Sequence, residues 1–249
     1  MRLGSIVAVS CLLGAAQASA AQPITVAWRD KPPYYYIEDG VEKGFLLARG
    51  KDVFAAAGIE ARFVQEPQNR IWANFKHGTP NYCSLAWYRV PERETIAQYS
   101  IPLHTDPPQS VLIAPNAVAQ VRSHATLASL LADRNLTIGM IDGVSYGTEL
   151  DARIARSASG LMRRTVSTRT MMRMIAAGRA SYVIADRNDW EHMRTHDKDL
   201  APLVQQDFPD MPPGLKRYIL CSRDVPASIM DRLNQAIKAT AGTASAAGK

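Results

Sequence analysis

Short apolar runs alternate with helical stretches along nearly the whole chain, and that alternation most limits the folds open to it. Residues 24–28 read as a first strand, 61–64 as a second and 82–87 as a third. Between the first two, Leu46, Val53, Phe54 and Ala57 fall on one face of a helix over 45–57, which Gly58 ends. A further helix over 69–76 separates the second strand from the third, and Pro91 suits the first turn of a short helix after it. Short strands alternating with helices in this way are the α/β signature, so the predicted fold class is α/β.

The pattern resumes downstream. Residues 109–114 are extended, followed by a helix over 127–132, a strand over 137–141 and a helix over 147–157. A short strand near Thr165, a helix over 168–177, a strand over 182–185 and a polar helix through 189–193 complete this second unit. Pro209 to Gly214, with three prolines in six residues, reads as a stiff connector. Beyond it come a strand over 217–222 and a helical stripe of Ile229, Leu233, Ala236 and Ile237. Near the start, Pro32-Pro33 and Asp39-Gly40 punctuate an aromatic loop, Tyr34-Tyr35-Tyr36.

The two ends read differently. Arg2, the apolar run 6–16 and Ala18-Ser19-Ala20 have the order of a cleaved secretion signal over 1–20. That run falls short of the ~20 apolar residues a membrane span needs. Cys11 lies inside it and is expected to leave with it. Residues 244–249 read as a frayed tail. Export places the remaining Cys83 and Cys221 in an oxidising compartment, where an even count points to a bridge. Two buried free thiols are the plainer alternative. The formal charge of +6 is scattered, without the basic runs and interleaved aromatics of nucleic-acid binding, so no nucleic-acid partner is expected.

Five stretches, in order, give the chain a resemblance. Pro33-Tyr34, Asp39-Gly40 and Gly44-Phe45 are similar to a "P-F … D-G … G-F" pattern, and Arg89 to Arg93 with Tyr99-Ser100-Ile101-Pro102 to "T-P-E-R … F-S-x-P". Gly143 to Thr148 is similar to "G-x-x-x-G-T", and Ala180 to Asp186 to "D-A-x-x-x-D". Together they resemble the periplasmic solute-binding proteins of the amino-acid-binding family. That resemblance implies a two-lobed periplasmic-binding-protein-like fold with two crossover strands and a central ligand cleft. Lobe one would be 22–107 plus 216–243 and lobe two 108–215, with Cys83 and Cys221 both in lobe one. It also implies a periplasmic monomer that carries a small polar ligand, amino-acid-like by default, to an inner-membrane ABC-type permease. No cofactor, metal or catalytic residue is implied.

Carried over residue by residue, Arg93 matches the arginine that grips a ligand carboxylate, a task suited to the planar guanidinium. The plainer account is a solvated arginine paired with Glu92 or Glu94. Asp186 matches the acid that takes the ligand's ammonium group; it is equally suited to capping the helix after it. Ser145 and Thr148 lie at a helix start, where free amides attract anions and where capping coexists. Tyr36, Trp87 and Tyr88 could wall the cleft, although Trp87 also suits the core. Tyr88 stands where many members carry a small hydroxyl residue, and Leu46 and Ala48 replace acids, which leaves the ligand open.

His192 and His196 stand four apart on a helix but lack a third nearby His or Cys ligand, so no metal is assigned. Met171, Met174 and Ile175 form an apolar helical stripe that reads as core. Two other readings stay open. One is a dehydratase-like acid–base enzyme on the same scaffold, with Glu66, Glu92 and Asp186 as candidate carboxylates. The other is a ligand sensor outside transport.

Overall fold

The computed structural model describes residues 22–241. The leader, Cys11 and the tail over 244–249 lie outside them. In chain order the first sheet unit contains β1 (Ile24–Trp28), the hairpin strands β2 (Tyr36–Glu38) and β3 (Val41–Lys43), α1 (Phe45–Ala56) and β4 (Ala61–Gln65). It continues with α2 (Gln68–Lys76), β5 (Tyr82–Tyr88), α3 (Pro91–Glu94) and β6 (Ala97–Thr105). The second unit contains β7 (Ser110–Ile113), α4 (Val118–Arg122), α5 (Leu127–Leu131), β8 (Thr137–Ile141) and α6 (Thr148–Ala155). It is completed by β9 (Gly160–Arg164), α7 (Thr168–Ala176), β10 (Tyr182–Ala185), α8 (Arg187–His196) and β11 (Val204–Gln206). The chain then returns to the first sheet through β12 (Lys216–Ser222) and closes with α9 (Ala227–Ala239).

Two five-stranded sheets result, ordered β4-β1-β5-β12-β6 and β11-β7-β10-β8-β9. In the first, β1 runs parallel to β4 and β5, while the returning β12 runs antiparallel to β5 and β6. In the second, β8 is parallel to β9 and β10, and β7 is antiparallel to β10 and β11. Each sheet has its own apolar core. The central strands β5 and β10 are buried almost end to end, as expected where helices cover both faces of a sheet. Among the described residues no helix is long and apolar enough to cross a membrane.

Two chain segments pass between the sheets, one after β6 and one before β12. They touch where the Asp106 amide donates to the Leu215 carbonyl at 2.9 Å. Gly214 makes that approach possible: a Cβ there would lie 1.6 Å from the Asp106 carbonyl oxygen. The bridge expected from the cysteine count is present. Cys83 on β5 faces Cys221 on β12 in direct register, with Cα atoms 4.0 Å apart.

The tyrosine loop has a structural task. The amides of Leu46 and Leu47, at the start of α1, donate to the Tyr34 carbonyl at 3.1 and 3.2 Å. Gly44 precedes the helix at φ 118°, and a Cβ there would sit 2.3 Å from that same carbonyl. Only glycine lets the helix start so close to the loop.

Candidate functional site

Site residues cluster just beyond the carboxyl ends of parallel strands, the place where open α/β sheets leave crevices. A cavity of about 170 Å³ lies there, bordered by Arg29 and Lys31 after β1, Tyr88 ending β5, and Arg217 on β12. From the second unit come Ser145 and Tyr146 after β8, Met171 and Met172 on α7, and Asp186 and Asp189 after β10. The volume corresponds to on the order of ten water positions, room for a small solute.

Arg217 anchors the floor. Its Nε lies 2.8 and 2.9 Å from the two carboxylate oxygens of Asp106, and its Nη2 donates to the Tyr88 hydroxyl at 2.8 Å. Tyr88 in turn donates to Asp106 at 2.7 Å. The guanidinium is sandwiched between the rings of Tyr34 and Tyr88, 4.2 and 4.5 Å from their centroids. Burial works against this cation, but Tyr88, Tyr34 and Asp106 together hold its pKa above the ordinary value. Burial likewise raises the Tyr34 and Tyr88 hydroxyls, with Asp186 adding to the rise at Tyr34. At neutral pH both tyrosines therefore stay protonated donors.

One irregularity aims these groups. Ala86, inside β5, has φ 57°, and the pairing of β5 with β12 slips between Tyr218 and Leu220. A bulge of this kind bends a strand and redirects its side chains next to a site. The Ala86 carbonyl turns toward Arg217 Nη1 at 3.4 Å.

The two sheet units are joined across the cavity. The Tyr34 hydroxyl lies 2.7 Å from each Asp186 oxygen, and Lys31 Nζ lies 2.9 and 3.0 Å from those of Asp189. Arg217 Nη2 adds a longer approach to Asp186, 3.5 Å. Burial raises the Asp189 carboxyl despite the opposing pull of Lys31. Asp186 also caps α8, accepting from the amides of Asn188 and Asp189 at 2.9 and 3.1 Å.

The sequence candidates divide. Tyr88, Ser145 and Asp186 border the cavity. Ser145 hydrogen-bonds Asp151 and accepts from the Gly147 amide, both at the start of α6. Thr148 is exposed at the first position of that helix. Trp87 is buried, donating to Ser84 at 2.8 Å and meeting Trp72 edge-to-face with ring centroids 4.4 Å apart. Tyr36 meets His192 across the units, with ring centroids 5.8 Å apart. Arg93 lies on the face of Trp72, 4.3 Å from its centroid, and donates to the Tyr88 carbonyl rather than bordering the cavity. Of the three carboxylates considered for acid–base chemistry, only Asp186 borders it: Glu92 is exposed, and Glu66 accepts from Tyr82 and Asn74 elsewhere. Sequence reasoning missed Arg217, Asp106, Lys31, Tyr34 and Asp189. A cation heading the apolar run 218–221 was the one available hint.

His104 supplies a pH test. It lies 3.5 Å from Asp106, which favours its charged form, yet burial outweighs that pull and, with Arg217 and Arg49, lowers its pKa. Burial lowers His192 as well. A histidine depressed in the folded state contributes stability above its unfolded pKa of about 6.5 that is lost as pH falls through the folded value. The melting temperature should therefore drop between pH 7 and pH 5, and His104→Gln should flatten that slope. A melting temperature that rises over this interval would contradict the assignment.

At the level of sequence, no family model and no curated protein matches the chain. Solved structures share its fold. A periplasmic His/Glu/Gln/Arg/opine family-binding protein from Silicibacter pomeroyi, in complex with lysine, aligns at TM-score 0.62 and 18% identity over 89% of this chain and 93% of that one. The arginine-, lysine-, histidine-binding protein ArtJ from Geobacillus stearothermophilus aligns at TM-score 0.63 and 15% identity over 90% and 91%. An ancestral amino-acid-binding protein, a precursor of cyclohexadienyl dehydratase, aligns at TM-score 0.64 and 14% identity over 90% and 92%. The chain thus has the two-lobed α/β fold of periplasmic binding proteins.

Proposed function

We propose that this is a periplasmic solute-binding protein that encloses a small solute bearing an acid group between its lobes and presents it to an ABC-type permease. The lobes are taken as 22–107 plus 216–243 and 108–215. The observation carrying this reading is the cavity itself, bordered by both units and crossed by the Tyr34–Asp186 and Lys31–Asp189 contacts. Such bonds have partners only when the lobes are together, which suits a hinge that closes over cargo. The amino-acid-binding neighbours and the leader-like segment over 1–20 support the same reading. A dehydratase-like activity has less support, since the two carboxylates that border the cavity are both engaged by protein donors, Asp186 by Tyr34 and Asp189 by Lys31.

The test is a panel of amino acids, polyamines and small carboxylic acids in thermal melts of the mature protein. A ligand at one hundred times its Kd adds about 2.7 kcal/mol of stability, so a saturable rise in melting temperature is expected from at least one compound. Recovery of that compound unchanged, followed by NMR, is expected for a carrier. No rise with any compound from a folded sample would sink the solute reading, and turnover would replace it with the enzyme.

A further inference from the structure

An amino acid brings three features to a cleft: a carboxylate, an ammonium group and a side chain. The acids bordering the cavity that could meet an ammonium group are Asp186 and Asp189. Both are already taken by the protein. Lys31 spans the two oxygens of Asp189, and Tyr34 reaches both oxygens of Asp186, one of which also accepts two backbone amides. Lys31 places a cation where the ammonium group of an amino acid would have to arrive, and like charges there repel.

The opposite deficit sits at Arg29. It borders the cavity, rests 4.2 Å over the Trp87 ring and hydrogen-bonds Gln68, but pairs with no acid among the described residues. Arg93 approaches the same ring at 5.3 Å, is also without an ion pair among the described residues, and is pushed down by its own burial and by Arg29. Arg93 stands outside the cavity, with Glu92 near enough to act on it, so the unpaired guanidinium offered to a ligand is that of Arg29, which favours an anion beside it. Gln109 also borders the cavity, and its Oε1 is buried without a hydrogen-bond partner. Its side-chain amide is free to turn donor or acceptor toward a ligand oxygen. Much of the remaining wall is apolar, with Ile141, Met171, Met172, Val183 and Ile184, and the hydroxyl-bearing Ser145, Tyr146 and Thr168 border it.

We infer that the solute is a small carboxylate with an apolar body and no ammonium group, such as a branched or aryl 2-oxo or 2-hydroxy acid. Its carboxylate meets Arg29, its second oxygen meets Gln109 and its hydrocarbon part lies on the methionine wall. This specificity rests on the solute-binding reading and excludes the ordinary amino acid that the fold would suggest.

The test is calorimetric titration of the mature protein with matched pairs, 4-methyl-2-oxopentanoate against leucine and phenylpyruvate against phenylalanine, at pH 7. The amine-free acid of a pair should bind at least tenfold tighter than its amino acid. Arg29→Gln, with its melting temperature unchanged, should weaken the acid at least tenfold. Lys31→Met, which frees Asp189, should strengthen the amino acid relative to the acid. An amino acid binding as tightly as its amine-free partner overturns the inference while leaving solute binding intact. So does silence from both pairs when an amino acid or polyamine in the melting panel binds. Silence from every compound overturns solute binding and this inference together.

Discussion

Arg217→Ala should lower the free energy of unfolding by about 3–5 kcal/mol, the range expected when one partner of a buried ion pair is removed and the other stays behind. The Arg217 and Asp106 side chains are only 2% and 5% exposed, so water cannot replace what the mutation takes away. Asp106 would keep the Tyr88 donor but lose its only counter-charge within 3 Å, and the stacked faces of Tyr34 and Tyr88 would enclose a void. The double variant Arg217→Met/Asp106→Asn should recover much of the loss, because it removes both charges and refills most of the volume. Urea denaturation at pH 7, followed by circular dichroism, measures each step. A loss under about 1 kcal/mol for Arg217→Ala would mean that the pair is worth no more than an exposed one, and the described burial would be wrong.

That pair also marks where sequence reasoning stops. Arg217 and Asp106 are 111 residues apart, Lys31 and Asp189 158, and Tyr34 and Asp186 152. No local periodicity encodes such meetings; they exist because β12 returns to the first sheet and the lobes face each other. Asp186 and Tyr88 were legible because each ends a buried strand, a position that local pattern does reveal. Arg93 was legible only as a motif. The motif gives the residue but not the direction of its side chain, which the neighbouring face of Trp72 sets.

The fold shows the same division. Strands β1, β5, β8 and β10 announce themselves as apolar runs because both of their faces are covered. The nine-residue β6 has no such run. Gln98, Ser100, Pro102 and His104 alternate with Ala97, Tyr99, Ile101 and Leu103, the period-two pattern of a half-buried strand that a reading for continuous apolar runs passes over. It lies at a sheet edge, where proline is tolerated, and its pairing with β12 shifts beside Pro102. The hairpin of β2 and β3 is almost wholly exposed, so the Asp39-Gly40 turn was visible while its strands, with no core to face, were not. Hydrophobic patterning reports burial, and elements without burial leave no trace in it.

Removing the Cys83–Cys221 bridge, by reduction or as Cys83→Ala/Cys221→Ala, should have the other large effect. The bridge spans a sequence separation of 138 residues, and the chain-entropy account gives roughly 4–5 kcal/mol for a loop of that order. The loop holds the entire second sheet, so the size of the loss depends on how the lobes unfold. If both unfold together, the open chain gains the whole entropy of that loop and the full loss is expected. If lobe one opens while lobe two stays folded, a compact body already spans much of the loop and the loss shrinks. Tryptophan fluorescence separates the cases, since Trp28, Trp72 and Trp87 report lobe one and Trp190 lobe two. Urea transitions followed by fluorescence and by circular dichroism should coincide and move together to lower urea when the bridge is cut. Separated transitions with a loss under about 2 kcal/mol would instead mean that each lobe folds on its own core, with the bridge tightening lobe one alone.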